Sequence, residues 1–284
     1  MIAARLRAGP GCMGLAFIGL ANFGLASVGI APLAPAAAQG ATLEMEFAAY
    51  SGGISLARGN VVLTEERHGP STRYQAHLLA EASPWLSLFT NFRYSAEALG
   101  TLETGVVHPD RFRGERRLRR KMDVMALSFR PEDVEVTSNP PLSPEDAARV
   151  PAQNRRGSVD PLSVGAAVIL SASQAGGCGG HYPAFDGRRR YDVILKPKGR
   201  EELPPSRYRI AAGTAEVCAV TIRPVAGFQS DRDPAKFFAE GHDRHATVWF
   251  GRNGPDGRIV PVTVEVPTDT ATVLVQTVAV KEGE

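Results

Sequence analysis

Cysteine is rare in this chain, aromatic residues make up only 7% of it, and its formal net charge is only +2 over 284 residues. Each scarcity removes a class of function. Three cysteines, none in a Cys-x-x-Cys pair, argue against a dithiol redox centre, which needs close spacing or cationic neighbours to lower a thiol pKa. So small a charge gives nucleic acid no long-range attraction. No Gly-x-Ser-x-Gly nucleophile elbow is present, and the glycines flanking Cys178 (Gly176, Gly177, Gly179, Gly180) lack the lysine and the strand-to-helix setting of a phosphate loop. Ser163, in Asp160-Pro161-Leu162-Ser163, holds the position of a helix-capping residue, not a nucleophile. His242 and His245 are the one close histidine pair. Spaced three apart, they share a helical face but point to opposite sides of a strand, and no cysteine or carboxylate joins them at a zinc spacing. No metal, cofactor or catalytic residue is therefore expected. Wholesale disorder is excluded as well, because 43% of the residues are hydrophobic.

Turn formers are plentiful instead, with 29 Gly and 21 Pro. The chain opens with what reads as a secretory signal peptide. Arg5 and Arg7 form a basic start, Cys12 to Ala31 is uncharged and mostly apolar, and Ala36-Ala37-Ala38 offers small residues to a signal peptidase. Cleavage is expected after Ala38, leaving residues 39–284 as a single β-rich periplasmic domain, not transmembrane once the leader is gone. A retained anchor is the rival reading, since Cys12 to Ala31 is long enough to span a membrane. Gly14, Gly19, Gly24, Gly29 and Pro32 weaken that helix. Arg5 and Arg7 match the whole charge excess, so the processed chain is neutral and keeps only Cys178 and Cys218. An even cysteine count in an oxidising compartment predicts a structural disulfide between these two. Closing so long a loop stabilises by roughly 4 kcal/mol in the chain-entropy picture.

Beyond the leader, period-two alternation dominates, the mark of half-buried strands. Leu43, Met45 and Phe47 share a face, as do Met125, Leu127 and Phe129, Val134 and Val136, Tyr191, Val193 and Leu195, and Tyr208 and Ile210. Val260, Val262, Val264 and Val266 repeat the pattern, followed past Pro267-Thr268-Asp269 by Ala271, Val273, Val275 and Thr277. Asp186-Gly187 and Asn253 to Gly257 read as hairpin turns. Helices are expected to be few and short: after Ser83-Pro84, with Trp85, Leu86, Leu88 and Phe89 packing onto a sheet; from Ser143-Pro144 to about Val150; over Leu162 to Ala172 after Asp160-Pro161; and over Ala235 to Glu240 after Asp233-Pro234. The fold class expected is mainly β, a long curved antiparallel sheet or open β-barrel, with short helices covering one opening. Asn139 to Ser158 is read as a surface loop or a weak boundary.

One charge run stands out. Arg111, Arg113, Arg116, Arg117, Arg119, Arg120 and Lys121 crowd around a single Glu115 and form a candidate anion-binding site, or else a solvated edge that discourages strand pairing. Arg188-Arg189-Arg190 is a second, shorter run, placed to neutralise Asp192, Glu265 or Asp269.

Several short stretches resemble, in order, a family of bacterial exported proteins, domain of unknown function 3108. They are Tyr50 with Gly53 and Gly59; Pro109-Asp110-Arg111-Phe112; Asp160-Pro161-Leu162-Ser163; Phe185-Asp186-Gly187-Arg188-Arg189-Arg190-Tyr191-Asp192; and Pro261-Val262. The resemblance implies a periplasmic, β-rich envelope protein and carries over no catalytic or ligand residue.

The leading functional expectation is a non-catalytic periplasmic cell-envelope protein, a scaffold or partner-binding module with a filled interior. The alternative is a periplasmic carrier of a lipid or other apolar envelope ligand on the concave face, with the basic run meeting an anionic headgroup. A hydrolase would need carboxylates or a Ser/His pair gathered from distant stretches. The partners expected are an envelope protein or an anionic lipid, and not nucleic acid. Denaturing mass spectrometry without reductant checks the processing: the expected mass is that of residues 39–284 less two hydrogens, and an intact leader or two free thiols would overturn the expectation of export.

Overall fold

The computed structural model describes residues 39–175, 178–228, 242–252 and 257–283. The leader and the Ala235 to Glu240 helix lie outside these residues, as does most of the Asn253 to Gly257 turn. Thirteen antiparallel strands form one sheet whose two arms are both meanders. The first arm runs β1 (Gln39–Ser51), β2 (Ile54–His68), β3 (Ser71–Ala82), β4 (Arg93–Glu103), β5 (Val106–Leu118), β6 (Lys121–Phe129) and β7 (Val134–Asn139). The second runs β8 (Gly180–Phe185), β9 (Arg190–Leu203), β10 (Gly213–Ala226), β11 (Arg244–Arg252), β12 (Ile259–Pro267) and β13 (Thr272–Gly283). β13 pairs with β1, Thr42 opposite Gly283, so the first and last strands sit side by side in mid-sheet and β7 and β8 are left as the edges. The mainly-β, curved and unclosed architecture read from alternation is the one observed.

Between the edges the chain forms α1 (Pro84–Thr90) at the β3–β4 connection, then α2 (Pro144–Ala148), α3 (Ala152–Arg155) and α4 (Pro161–Ala175) between β7 and β8. The expectation that helices cover an opening fails for the longest of them. α4 has no charged residue, and from Pro161 to Ser173 it is nowhere exposed. A helix that is apolar all round must be enclosed. It lies in the concavity, touching β3, β4 and β5 on one arm and β8 and β12 on the other. Val164, Ala167 and Leu170 share one core with Leu43, Leu63, Tyr74, Tyr182 and Val262, drawn from both arms. Ala166 and Ala167, both buried, keep the packed side of the helix narrow.

Both ends of α4 are fastened. At the start, Asp160 Oδ1 accepts the Ser163 N–H at 2.8 Å. Asp160 is thus the capping side chain, and Ser163 is the residue it caps. Val159 pairs in parallel with Ala184 on the edge of β8. Beyond the other end, Cys178 is bonded to Cys218 on β10, and Ala172 packs with Cys218, Val248 and Phe250. Ser173 Oγ also reaches the Ile259 carbonyl at 3.1 Å.

The seam between β7 and β8 is filled by side chains; the Asn139 to Ser158 stretch is mostly exposed, as a surface stretch, and contributes Val150 to it. Val134 of β7, Val150 and Phe185 of β8 share a core. The β8–β9 turn sits against β6: a Cβ on Gly187 would lie 2.3 Å from the Met125 sulfur, and Gly187 has φ +93°. Asp186 holds the turn by accepting the Arg188 and Arg189 N–H groups at 2.8 and 2.7 Å. This is the conformation the Phe185 to Asp192 run encodes.

Two local expectations are corrected. Tyr208 and Ile210 are not in a strand; Pro204 and Pro205 withhold the backbone donors a ladder needs, and the segment loops over the sheet, with Ile210 N–H bonding the Thr277 carbonyl at 2.9 Å and Tyr208 edge-on to Tyr50 at 5.5 Å. α1 forms after Ser83-Pro84, but Trp85, Leu88 and Phe89 face outward. Among the described residues no helix is long and apolar enough to cross a membrane, a statement that does not extend to strands. Gly187→Ala is expected to destabilise by roughly 1–3 kcal/mol through positive φ and overlap with Met125. In a denaturant titration Met125→Ala, combined with it, should recover the overlap part alone; strictly additive losses would show that the seam contact carries no weight.

Candidate functional site: an arginine-lined mouth

The chemistry-bearing side chains converge where α4 begins. Tyr74 (β3), Tyr94 (β4) and Tyr191 (β9) come from inward phases of three strands, and Asp160, Ser163 and Asp186 from the helix start and the β8–β9 turn. Burial dominates their electrostatics. It raises the pKa of Tyr74 and Tyr191 and pushes Tyr94 up to about 12, so all three stay protonated. It lifts Asp160 from 3.8 to about 6, against the stabilising bonds from Ser163, and raises Asp186 too. The Ser163 hydroxyl, the Tyr74 phenol oxygen and Asp160 Oδ2 are buried without a hydrogen-bond partner among the described residues. The Tyr74 ring lies over Gly100, where a Cβ would come within 2.5 Å of the phenol oxygen.

Beside this floor opens a depression of about 470 Å³ whose charged lining is Arg116, Arg149, Arg188 and Arg189 interleaved with Asp123, Asp146 and Asp186. Its cations come from both basic runs and from α2's C-cap. Arg116 stands opposite Tyr94 on one side and Asp123 on the other, and bonds the Asp123 carboxylate at 2.6 Å. Arg149 pairs with Asp146 and Glu145, and Arg189 lies 4.0 Å from Asp186 and 6.0 Å over the Phe228 ring. Since these arginines already have acidic neighbours, an incoming anion exchanges one partner for another. Such a mouth suits a broad acidic surface and a salt-dependent contact better than a dehydrated small anion.

The seven cations of the first run are not gathered into one site. Strand alternation puts Arg111 and Arg113 outside, with Arg113 bonded to Glu115 at 2.6 Å, while Phe112 and Gly114 are buried. Arg116 faces the mouth. Arg117, Arg119, Arg120 and Lys121 lie at the β5–β6 hairpin end, where Arg119 takes φ 57°. In the second run Arg190, at 2.8 Å, neutralises Asp192, whose pKa falls, and Asp269 is paired with Arg244 instead. His245 bonds the Thr221 hydroxyl at 3.3 Å, and His242 is exposed. Among the described residues no three His, Cys, Asp or Glu groups are placed to hold a metal ion. The tyrosine floor has one signal in the sequence, tyrosine recurring at inward strand positions, and the alternation pattern alone does not single it out.

A family described as protein of unknown function (DUF3108) matches residues 46–276. The chain belongs to this family. The DUF3108 match spans both arms, α4, the mouth and the seam, and no curated protein matches the chain. Among solved structures, this DUF3108 chain is similar to the crystal structure of a β-barrel-like protein of domain of unknown function DUF1849 from Brucella abortus. The two are 11% identical with a TM-score of 0.44, over 86% of this chain and 98% of that one.

Asp160 sets a pH dependence. Its folded pKa lies above the unfolded value, so the fold favours the protonated form; its contribution to stability is complete near pH 4 and is lost as pH rises through about 6. Asp160→Asn keeps an acceptor for the Ser163 N–H without the charge. In unfolding titrations its midpoint relative to the native chain should move upward between about pH 4 and pH 7; an unchanged difference would remove the buried charge from the account.

Proposed function

We propose that this protein is a non-catalytic component of the bacterial cell envelope, a scaffold or partner-binding module that works through its surface from the periplasm after losing its leader. The carrying observation is the occupied interior: α4 fills the concave face on which a carrier would hold its ligand, with Val164, Ala167 and Leu170 packed against both arms. The Cys178–Cys218 bridge suits an oxidising compartment. Two of the carboxylates at the mouth serve the fold, Asp160 as a helix cap and Asp186 as a turn cap. The partner surface is the arginine-lined mouth, and the partner chemistry it fits is the acidic face of another envelope protein.

Native mass spectrometry of the protein recovered from a periplasmic extract tests this reading. A bare chain or a complex with another protein is expected. Retained mass that resolves into a lipid would overturn it in favour of the carrier, and absence of the protein from the periplasmic fraction would overturn the location.

A further inference from the structure

The rim that carries the mouth also carries a group of outward apolar side chains. On α1, Trp85, Leu88 and Phe89 lie at i, i+3 and i+4, on one side of the helix, and are 46%, 83% and 69% exposed. Large apolar side chains this exposed, three on a seven-residue helix, are costly in water and do not occur there by packing necessity. The helix that carries them is tied at both ends. Trp85 Nε1 donates to the Ser55 carbonyl at 2.7 Å and Ser83 Oγ to the same carbonyl at 2.8 Å, tying α1 to the start of β2. The Arg119 N–H bonds the Thr90 carbonyl at 2.8 Å, tying it to the β5–β6 hairpin. That hairpin adds exposed Leu118 and Met122 beside Arg120 and Lys121. Immediately alongside is a depression of about 560 Å³ whose charged lining is Arg58, Arg93, Arg117 and Arg119 against Glu81 alone, and Glu81 is taken by Arg93 at 2.6 Å.

We propose that this rim docks on an anionic bilayer surface, with Trp85, Leu88 and Phe89 entering the headgroup boundary and Arg58, Arg117 and Arg119 meeting lipid phosphates. An apolar tip set in a collar of cations has the composition of an interfacial anchor, tryptophan and phenylalanine at the boundary and arginine in the phosphate layer. Charge complementarity selects this occupant over a second copy of the chain, since a two-fold contact through α1 would bring the two arginine collars together. The proposal deepens the envelope reading and rests on it for access to such a membrane.

The test uses protein purified from cells expressing the full chain, its N terminus read by mass spectrometry. It is sedimented with vesicles of phosphatidylglycerol and phosphatidylethanolamine, and separately with phosphatidylcholine vesicles. At least tenfold tighter association with the anionic vesicles is expected. Leu88→Ser with Phe89→Ser should weaken it at least tenfold without moving the melting temperature, since both residues are solvent-facing. Arg117→Ala with Arg119→Ala should reduce its salt dependence. The chain has two tryptophans, so in a Trp249→Phe background the emission of Trp85 should shift to the blue on anionic vesicles alone. Equal association with both kinds of vesicle, or anionic binding indifferent to Leu88 and Phe89, would overturn the proposal. So would a concentration-dependent dimer, lost in the same variants, without vesicle binding. Vesicle binding by a protein found outside the envelope fractions would sink the envelope reading and leave the docking surface standing.

Discussion

An uncharged helix of fifteen residues has to be surrounded, and most of this structure is the surrounding. Leu170 and Ala167 are fully buried because strands from two separate meanders reach them, and the meanders meet at α4 and along the β1–β13 ladder. Hydrophobic burial supplies the driving force, but it is non-directional. Direction comes from the ends: the Asp160 cap and the Val159 bridge fix where the helix enters, and the Cys178–Cys218 bond fixes where the chain leaves it. The carboxylate at the entrance sits where burial disfavours its charge and the first-turn N–H groups favour it, a balance that explains why its pKa stops at about 6.

The same geometry accounts for the stretch of sequence that most resembles the DUF3108 family. From Phe185 to Asp192 most side chains serve the fold. Phe185 fills the seam, Asp186 caps the turn, Gly187 clears Met125, Arg190 and Asp192 neutralise each other, and Tyr191 closes the floor. Arg188 and Arg189 line the mouth, as does the Asp186 carboxylate.

Alternation made the sheet legible because one face of nearly every strand is buried against α4 or the seam, and period two is then enforced residue by residue. It failed at Tyr208 and Ile210, where two prolines cancel the ladder that a three-residue pattern suggests. It misplaced the α1 side chains for a different reason: four apolar residues in a short helix describe an inward and an outward face equally well, and only the tertiary ties to Ser55 and Arg119 turn Trp85, Leu88 and Phe89 outward. The expectation of a lid rests on helix length and capping and does not use the lack of charge on α4, which is what requires its enclosure. As for the site, the basic run was conspicuous in sequence, but strand alternation sends its members to three different places. The tyrosine floor is assembled from strands far apart in the chain, so no local window could contain it.

The pairing of β1 with β13 has a consequence for the order of events in the life of the chain. Thr42 pairs with Gly283 across almost the whole described sequence, so the β13-facing side of β1 is unpaired until β13 is in place. A sheet whose central ladder is completed last has high contact order and folds late, once the entire polypeptide is free to close. Without β13, β1 is an open edge able to pair with another strand, and Thr272–Gly283 is the segment that closes it.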